Sequence, residues 1–210
     1  MPQPLRKWVP VDFSPEALGM RPDLMIGVAQ VSCAWARLET GLGLFLANML
    51  GTEAQTGVAM YLSLVGSASQ QSVFNAAAEA RLDQRLAADV ADLLKKVKFR
   101  AGERNKVVHA LWGVSDSYPH GLINCQPDNF VRHVVHDTSI FMLLGKEPPP
   151  TDPPLSKPTV YVRRDFDEIV TRIDTLSGEA STLNQRVHDA LERRRAIARA
   201  LETQPPSDPS

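Results

Sequence analysis

The chain has 210 residues, 43% hydrophobic and 22% charged, enough to bury a substantial core within ordinary single-domain size. Its 23 basic and 24 acidic residues leave a formal net charge of -1, so any polyanion site must come from a local cluster of cations. The two cysteines, Cys33 and Cys125, sit far apart and suggest a reduced, cytoplasmic setting, and no stretch reaches the roughly 20 apolar residues of a membrane span.

Residues 1–20, "MPQPLRKWVPVDFSPEALGM", are broken by Pro4, Pro10 and Pro15 and read as an irregular N-terminal segment without a secretory apolar run. A single helical domain is expected over 21–203. Its first helix carries Leu24, Val28, Val31, Trp35, Leu38, Leu42, Phe45 and Met49 at alternating steps of four and three, one face of a long helix that should stop near Gly51. "TEAQTGVAMYLSL" and "SASQQSVFNAAAEARL" read as two shorter helices, or one kinked at Gly66, with Thr52 and Ser67 as candidate N-caps. Asp83 then opens a second long helix expected to end near Gly113.

From about 114 to 160 the periodicity changes. "GLINCQ" and "TVYVRR" read as short strands, "FVRHVVHDTSIFMLL" as strand or helix, and "EPPPTDPPLSKP" as an irregular loop. Helix returns at "RDFDEIVTRIDTLSGEASTLNQRVHDALERRRAIARAL", where Asp165 and Glu168 have capping-box spacing and Phe166, Ile169, Ile173, Leu176, Leu183 and Val187 form the apolar face. The tail, 204–210, should be disordered. The expected fold is all-α, an antiparallel four- to five-helix bundle with a small β-ribbon insertion before the last long helix.

The anomaly lies in "GERNKVVHALWG", residues 102–113. Leu86, Val90, Leu93 and Val97 set up a stripe whose next members are Arg100 and Arg104, and a neighbouring stripe of Leu94, Val97 and Ala101 runs into Asn105. Asn105 and His109 stand one helical turn apart, and Arg104, about 140° from His109, has a side chain long enough to reach around. A half-buried arginine needs an anion or a carboxylate. Either a bound phosphate or a structural partner such as Glu39 meets that need, and His109 is alternatively a satisfied half-core histidine.

"RNKVVH", Arg104 to His109, resembles the R-N-x-x-x-H form of the Arg-x4-6-His motif of the HEPN superfamily (higher eukaryotes and prokaryotes nucleotide-binding). The context is similar: the motif falls late in a long helix, Trp112 and Gly113 follow it, a final long helix comes after, and "WARLETGLGLFLANML" looks like the opening helix of such domains. The resemblance implies a metal-independent endoribonuclease without cofactor, a homodimer whose paired motifs line one cleft. It carries His109 over as general acid or base on the ribose 2′-hydroxyl and the 5′-oxygen, Arg104 as the ligand of the scissile phosphate, and Asn105 as the residue orienting the phosphate or the imidazole by hydrogen bonding. The products implied are 2′,3′-cyclic phosphate and 5′-hydroxyl ends. A toxin or phage-defence role is implied too, with a separate antitoxin such as a minimal nucleotidyltransferase; a catalytically silent dimer binding nucleotide, RNA or protein is the alternative.

Around the motif, Lys95, Lys96, Lys98, Arg100 and Lys106 form a basic strip suited to RNA, against a solvated helix face as the plainer reading. His133 and His136, with His120 and Cys125 nearby, lack a recognised metal-ligand spacing, so no metal is expected. "ERRRAIAR" reads as an exposed helix tail.

Overall fold

The computed structural model describes residues 1–5, 9–131 and 158–202 and is mostly helical with one small sheet, in keeping with an all-α bundle bearing a β insertion. Its longer helices are α1 (Pro22–Leu50), α2 (Ala54–Ser63), α3 (Ser67–Arg81), α4 (Gln84–Val108) and α5 (Arg163–Glu202). No helix among the described residues is long and apolar enough to cross a membrane. Residues 132–157 and the tail from 203 lie outside the described residues, and with them the expectations for His133, His136 and the proline-rich loop.

The helices follow their stripes. On α1, Leu24, Val31, Trp35, Leu38, Leu42, Phe45 and Met49 are buried and Val28 is half-buried. The helix stops where Gly51 takes φ +71°, a left-handed geometry that glycine adopts without Cβ strain. Asp83 caps α4, its Oδ1 accepting from the Leu86 N–H at 2.8 Å. At the start of α5, Asp165 Oδ2 accepts from the Val162 N–H at 2.9 Å, three residues back, so Asp165 is the returning acid of the cap and not its start. Thr52 and Ser67 are not caps: the N-cap positions of α2 and α3 are Glu53 and Gly66, neither with a side-chain cap bond.

The chain divides into two compact units, one of Met1–Trp35 with Arg100–Ile173, the other of Ala36–Phe99 with Asp174–Ser210. The first holds the sheet: β1 (Gln3–Pro4), β2 (Leu111–Gly113), β3 (Leu122–Cys125) and β4 (Thr159–Tyr161), antiparallel in the order β1-β4-β3-β2. All four residues of β3 are buried because both faces of the sheet are covered. Leu5, Ile123 and Val160 pack with Val9, Val11, Phe13 and Tyr118 on one face. On the other, Trp112, Tyr161 and Phe166 form a cluster of ring contacts with centroids 5.2–5.7 Å apart.

The N-terminal segment is therefore not wholly irregular. It supplies β1, the short 3-10 turn Ala17–Met20 and a bridge from Asp12 to Val114. Gly113 makes that crossing possible, since a Cβ there would sit 2.5 Å from Val11 Cγ1 and 2.8 Å from the Asp12 carbonyl oxygen. In the second unit, Phe74 receives Phe45 and Tyr61 edge-on, each with centroids 5.7 Å away, and Asn48 Nδ2 donates to Asn184 Oδ1 at 2.7 Å.

Candidate functional site

α4 ends at Val108, not near Gly113, and this shapes the site. A helix leaves its last carbonyls without intrahelical donors. Here side chains of the sheet region supply them: Asn124 Nδ2 and Gln126 Nε2 both donate to the Lys106 carbonyl, at 2.8 and 3.1 Å, and Trp112 Nε1 donates to the Val107 carbonyl at 3.1 Å. Gln126 Nε2 also donates to Asn124 Oδ1 at 2.9 Å. With its carbonyls capped, the chain leaves the helix and enters β2, which contains Trp112.

The final turn presents the motif. The His109 N–H still donates to the Asn105 carbonyl at 3.1 Å, which keeps His109 within reach of the residues one turn back. Arg104 Nη1 donates to Asn105 Oδ1 at 3.0 Å and lies 3.5 Å from His109 Nε2. The three groups thus converge, though not as a buried cluster: Asn105 and His109 are exposed and only Arg104 is half-buried. Asn105 contacts the guanidinium and holds it beside the imidazole. At 3.5 Å the Arg104–His109 contact is at the outer limit of a hydrogen bond, and a guanidinium has no acceptor, so Nε2 would take the acceptor role in the tautomer protonated at Nδ1.

Arg104 has no ion pair among the described residues, with Glu39 or any other carboxylate, and its Nε is buried without a hydrogen-bond partner. The other arginine of the stripe is accounted for. Arg100 Nη1 donates to Glu103 at 2.7 Å, and the same carboxylate lies 3.6 Å from Arg172.

The basic strip is more compensated than its sequence implies. Lys95 pairs with Asp92 at 2.8 Å, Lys96 with Glu179 at 2.7 Å and Arg100 with Glu103, whereas Lys98 and Lys106 are exposed and have no ion pair among the described residues. Lys95, Lys96 and Lys98 belong to one compact unit, and Arg100 and Lys106 to the other. Lys106 is therefore the strip residue that shares the motif's own turn. The Lys95 and Lys96 pairs are exposed and contribute about 0–1 kcal/mol each, so an incoming phosphate displaces those two at little cost.

A cavity of about 480 Å³ lies behind this turn, with Glu103, Lys106, Asn124, Gln126, Tyr161 and Arg172 in its wall; Arg104, Asn105 and His109 are not part of it. Asn105 and His109 are exposed, so a polymer backbone can reach the carboxamide and the imidazole. Among the described residues no group of three or more His, Cys, Asp or Glu is placed to hold a metal. No family model matches the chain, and neither a curated protein nor a solved structure matches it.

Asn124 and Gln126 do not stand out in the motif pattern, yet one signal points to them. Asn124 is a carboxamide within the apolar run "LINC", and a buried strand amide needs a partner.

Proposed function

We propose that the chain is a metal-independent endoribonuclease of HEPN type, acting through Arg104, Asn105 and His109. The observation that carries the reading is the convergence of a guanidinium, a carboxamide and an exposed imidazole on one turn, with no carboxylate among the described residues to satisfy Arg104. A phosphodiester offers Arg104 the anion it lacks.

The ribose O2′ attacks the adjacent phosphorus and the P–O5′ bond breaks. His109 either takes the 2′-hydroxyl proton or gives a proton to the departing O5′, so the fragments end in a 2′,3′-cyclic phosphate and a 5′-hydroxyl. Arg104 neutralises the charge that grows on the non-bridging oxygens, Asn105 fixes the guanidinium, and Lys106 draws the flanking backbone. Exposure of Asn105 and His109 leaves room for a second copy, so that paired motifs supply base and acid across one cleft. A toxin or phage-defence role, checked by a separate antitoxin, follows from the same reading.

The test is to incubate the protein in EDTA with a labelled RNA and with the all-deoxy strand of the same sequence. Cleavage of RNA alone, lost in an Arg104→Ala, His109→Ala double variant, is the expected outcome. Intact RNA that is retained in a gel shift moves the reading to a silent binding protein, and cleavage that survives the double substitution removes these residues from it.

A further inference from the structure

The arginine run of "ERRRAIAR" does not stand alone as a helix tail. Within the unit of Ala36–Phe99 and Asp174–Ser210, arginines from three helices gather at one end. Arg81 closes α3, Arg85 is in the first turn of α4, and Arg186, Arg193, Arg194 and Arg195 come from α5. Arg85, Arg186 and Arg193 line an open groove of about 400 Å³ together with Asp83, Leu86 and Asp189. Beside it, Arg194 donates to the Arg81 carbonyl, and Arg195 and Arg81 both reach the C-terminus of α1, within 3.1 and 3.7 Å of where a Cβ on Gly51 would stand.

Two of the four acidic groups here pair with arginines of the cluster, and the other two accept from neutral donors and keep their charge. Asp83 caps α4, Asp189 accepts from Gln185 at 2.9 Å, Asp89 pairs with Arg186 at 2.8 Å and Glu192 pairs with Arg195. Arg81, Arg85, Arg193 and Arg194 have no ion pair among the described residues. Six arginines (Arg81, Arg85, Arg186, Arg193, Arg194 and Arg195) against the four carboxylates Asp83, Asp89, Asp189 and Glu192 leave this end with an excess of positive charge, which attracts an external anion. Planar guanidiniums spread over three helices match phosphates strung along a chain better than one compact anion, because each takes a phosphate bidentately.

We infer that this groove is a phosphate-backbone binding surface for single-stranded RNA, separate in its residues from the cleavage motif. The identity of the polymer as RNA rests on the ribonuclease reading; the anion preference does not. Arg85 and Arg193 are exposed, so substitution there leaves the fold intact.

The test measures anisotropy of a labelled single-stranded RNA across a salt series in the full chain carrying His109→Ala, which prevents cleavage. Adding Arg85→Glu and Arg193→Glu is expected to weaken binding at least about tenfold and to reduce the log-log salt slope by about 0.7 for each phosphate no longer neutralised. Arg85→Gln with Arg193→Gln should give a smaller effect in the same direction, and circular dichroism verifies folding of each variant. Unchanged affinity in both pairs of variants, or no RNA binding by the parent, overturns the inference. Binding that depends on these arginines in a protein whose wild type cuts no RNA sustains the groove and removes the nuclease; cleavage with arginine-independent binding does the reverse.

Discussion

Arg104 is where stability and function separate. Its Nε is buried without a partner and no carboxylate pairs with it among the described residues, so it adds little to the fold. Arg104→Leu is expected to leave unfolding free energy within about 0.5 kcal/mol of wild type, or to raise it, while RNA cleavage falls at least about a hundredfold. Denaturant titration and cleavage rates on the same preparation check this. Asn124 behaves in the opposite way. It is 3% exposed and donates to the Lys106 carbonyl, so Asn124→Ala should cost about 1–3 kcal/mol and weaken cleavage indirectly by loosening the turn that carries His109. Of these residues, Arg104, Asn105 and His109 are visible in the sequence because Arg104 and Asn105 interrupt apolar stripes and His109 stands one turn on. The Lys96–Glu179 pair is not visible, because only packing brings the two helices together, whereas Lys95–Asp92 and Arg100–Glu103 are i,i+3 pairs that the phase of α4 makes legible.

At the scale of elements, the helices are legible and the sheet only in part. Periodic burial is a local signal, and the α1 and α5 stripes are buried almost residue for residue. β3 and β4 carry enough apolar and β-branched character to be expected as strands, whereas β1 and β2 do not. β1 also pairs with β4 across more than 150 residues, which no short-range signal reports. α4 ends earlier than its pattern predicts for a related reason: distant Asn124 and Gln126 cap it. Two substitutions probe these junctions. Asp83→Ala removes the α4 cap and should cost about 1 kcal/mol. Gly113→Ala forces a Cβ against Val11 and the Asp12 carbonyl and should cost more, about 2–3 kcal/mol, with both effects read by thermal or denaturant unfolding.

Across the whole molecule, stability should respond to alkaline pH through its buried tyrosines. Burial, aided by the charges of Asp165 and Glu103, pushes the Tyr161 phenol from its ordinary 10.0 up to about 12, and burial also raises Tyr61. Between those pH values the unfolded chain has released a proton that the folded chain keeps. The Tyr161 contribution is therefore fully present below pH 10 and lost as pH rises through about 12, on the order of 2 kcal/mol. Melting temperature should drop more steeply over this window in wild type than in Tyr161→Phe. The central claim, however, concerns RNA and the Arg104–His109 turn. Its most direct measurement is end-group analysis of fragments produced from labelled RNA in EDTA. We expect 2′,3′-cyclic phosphate and 5′-hydroxyl ends that vanish with His109→Ala; 5′-phosphate and 3′-hydroxyl ends, or no fragments at all, would contradict it.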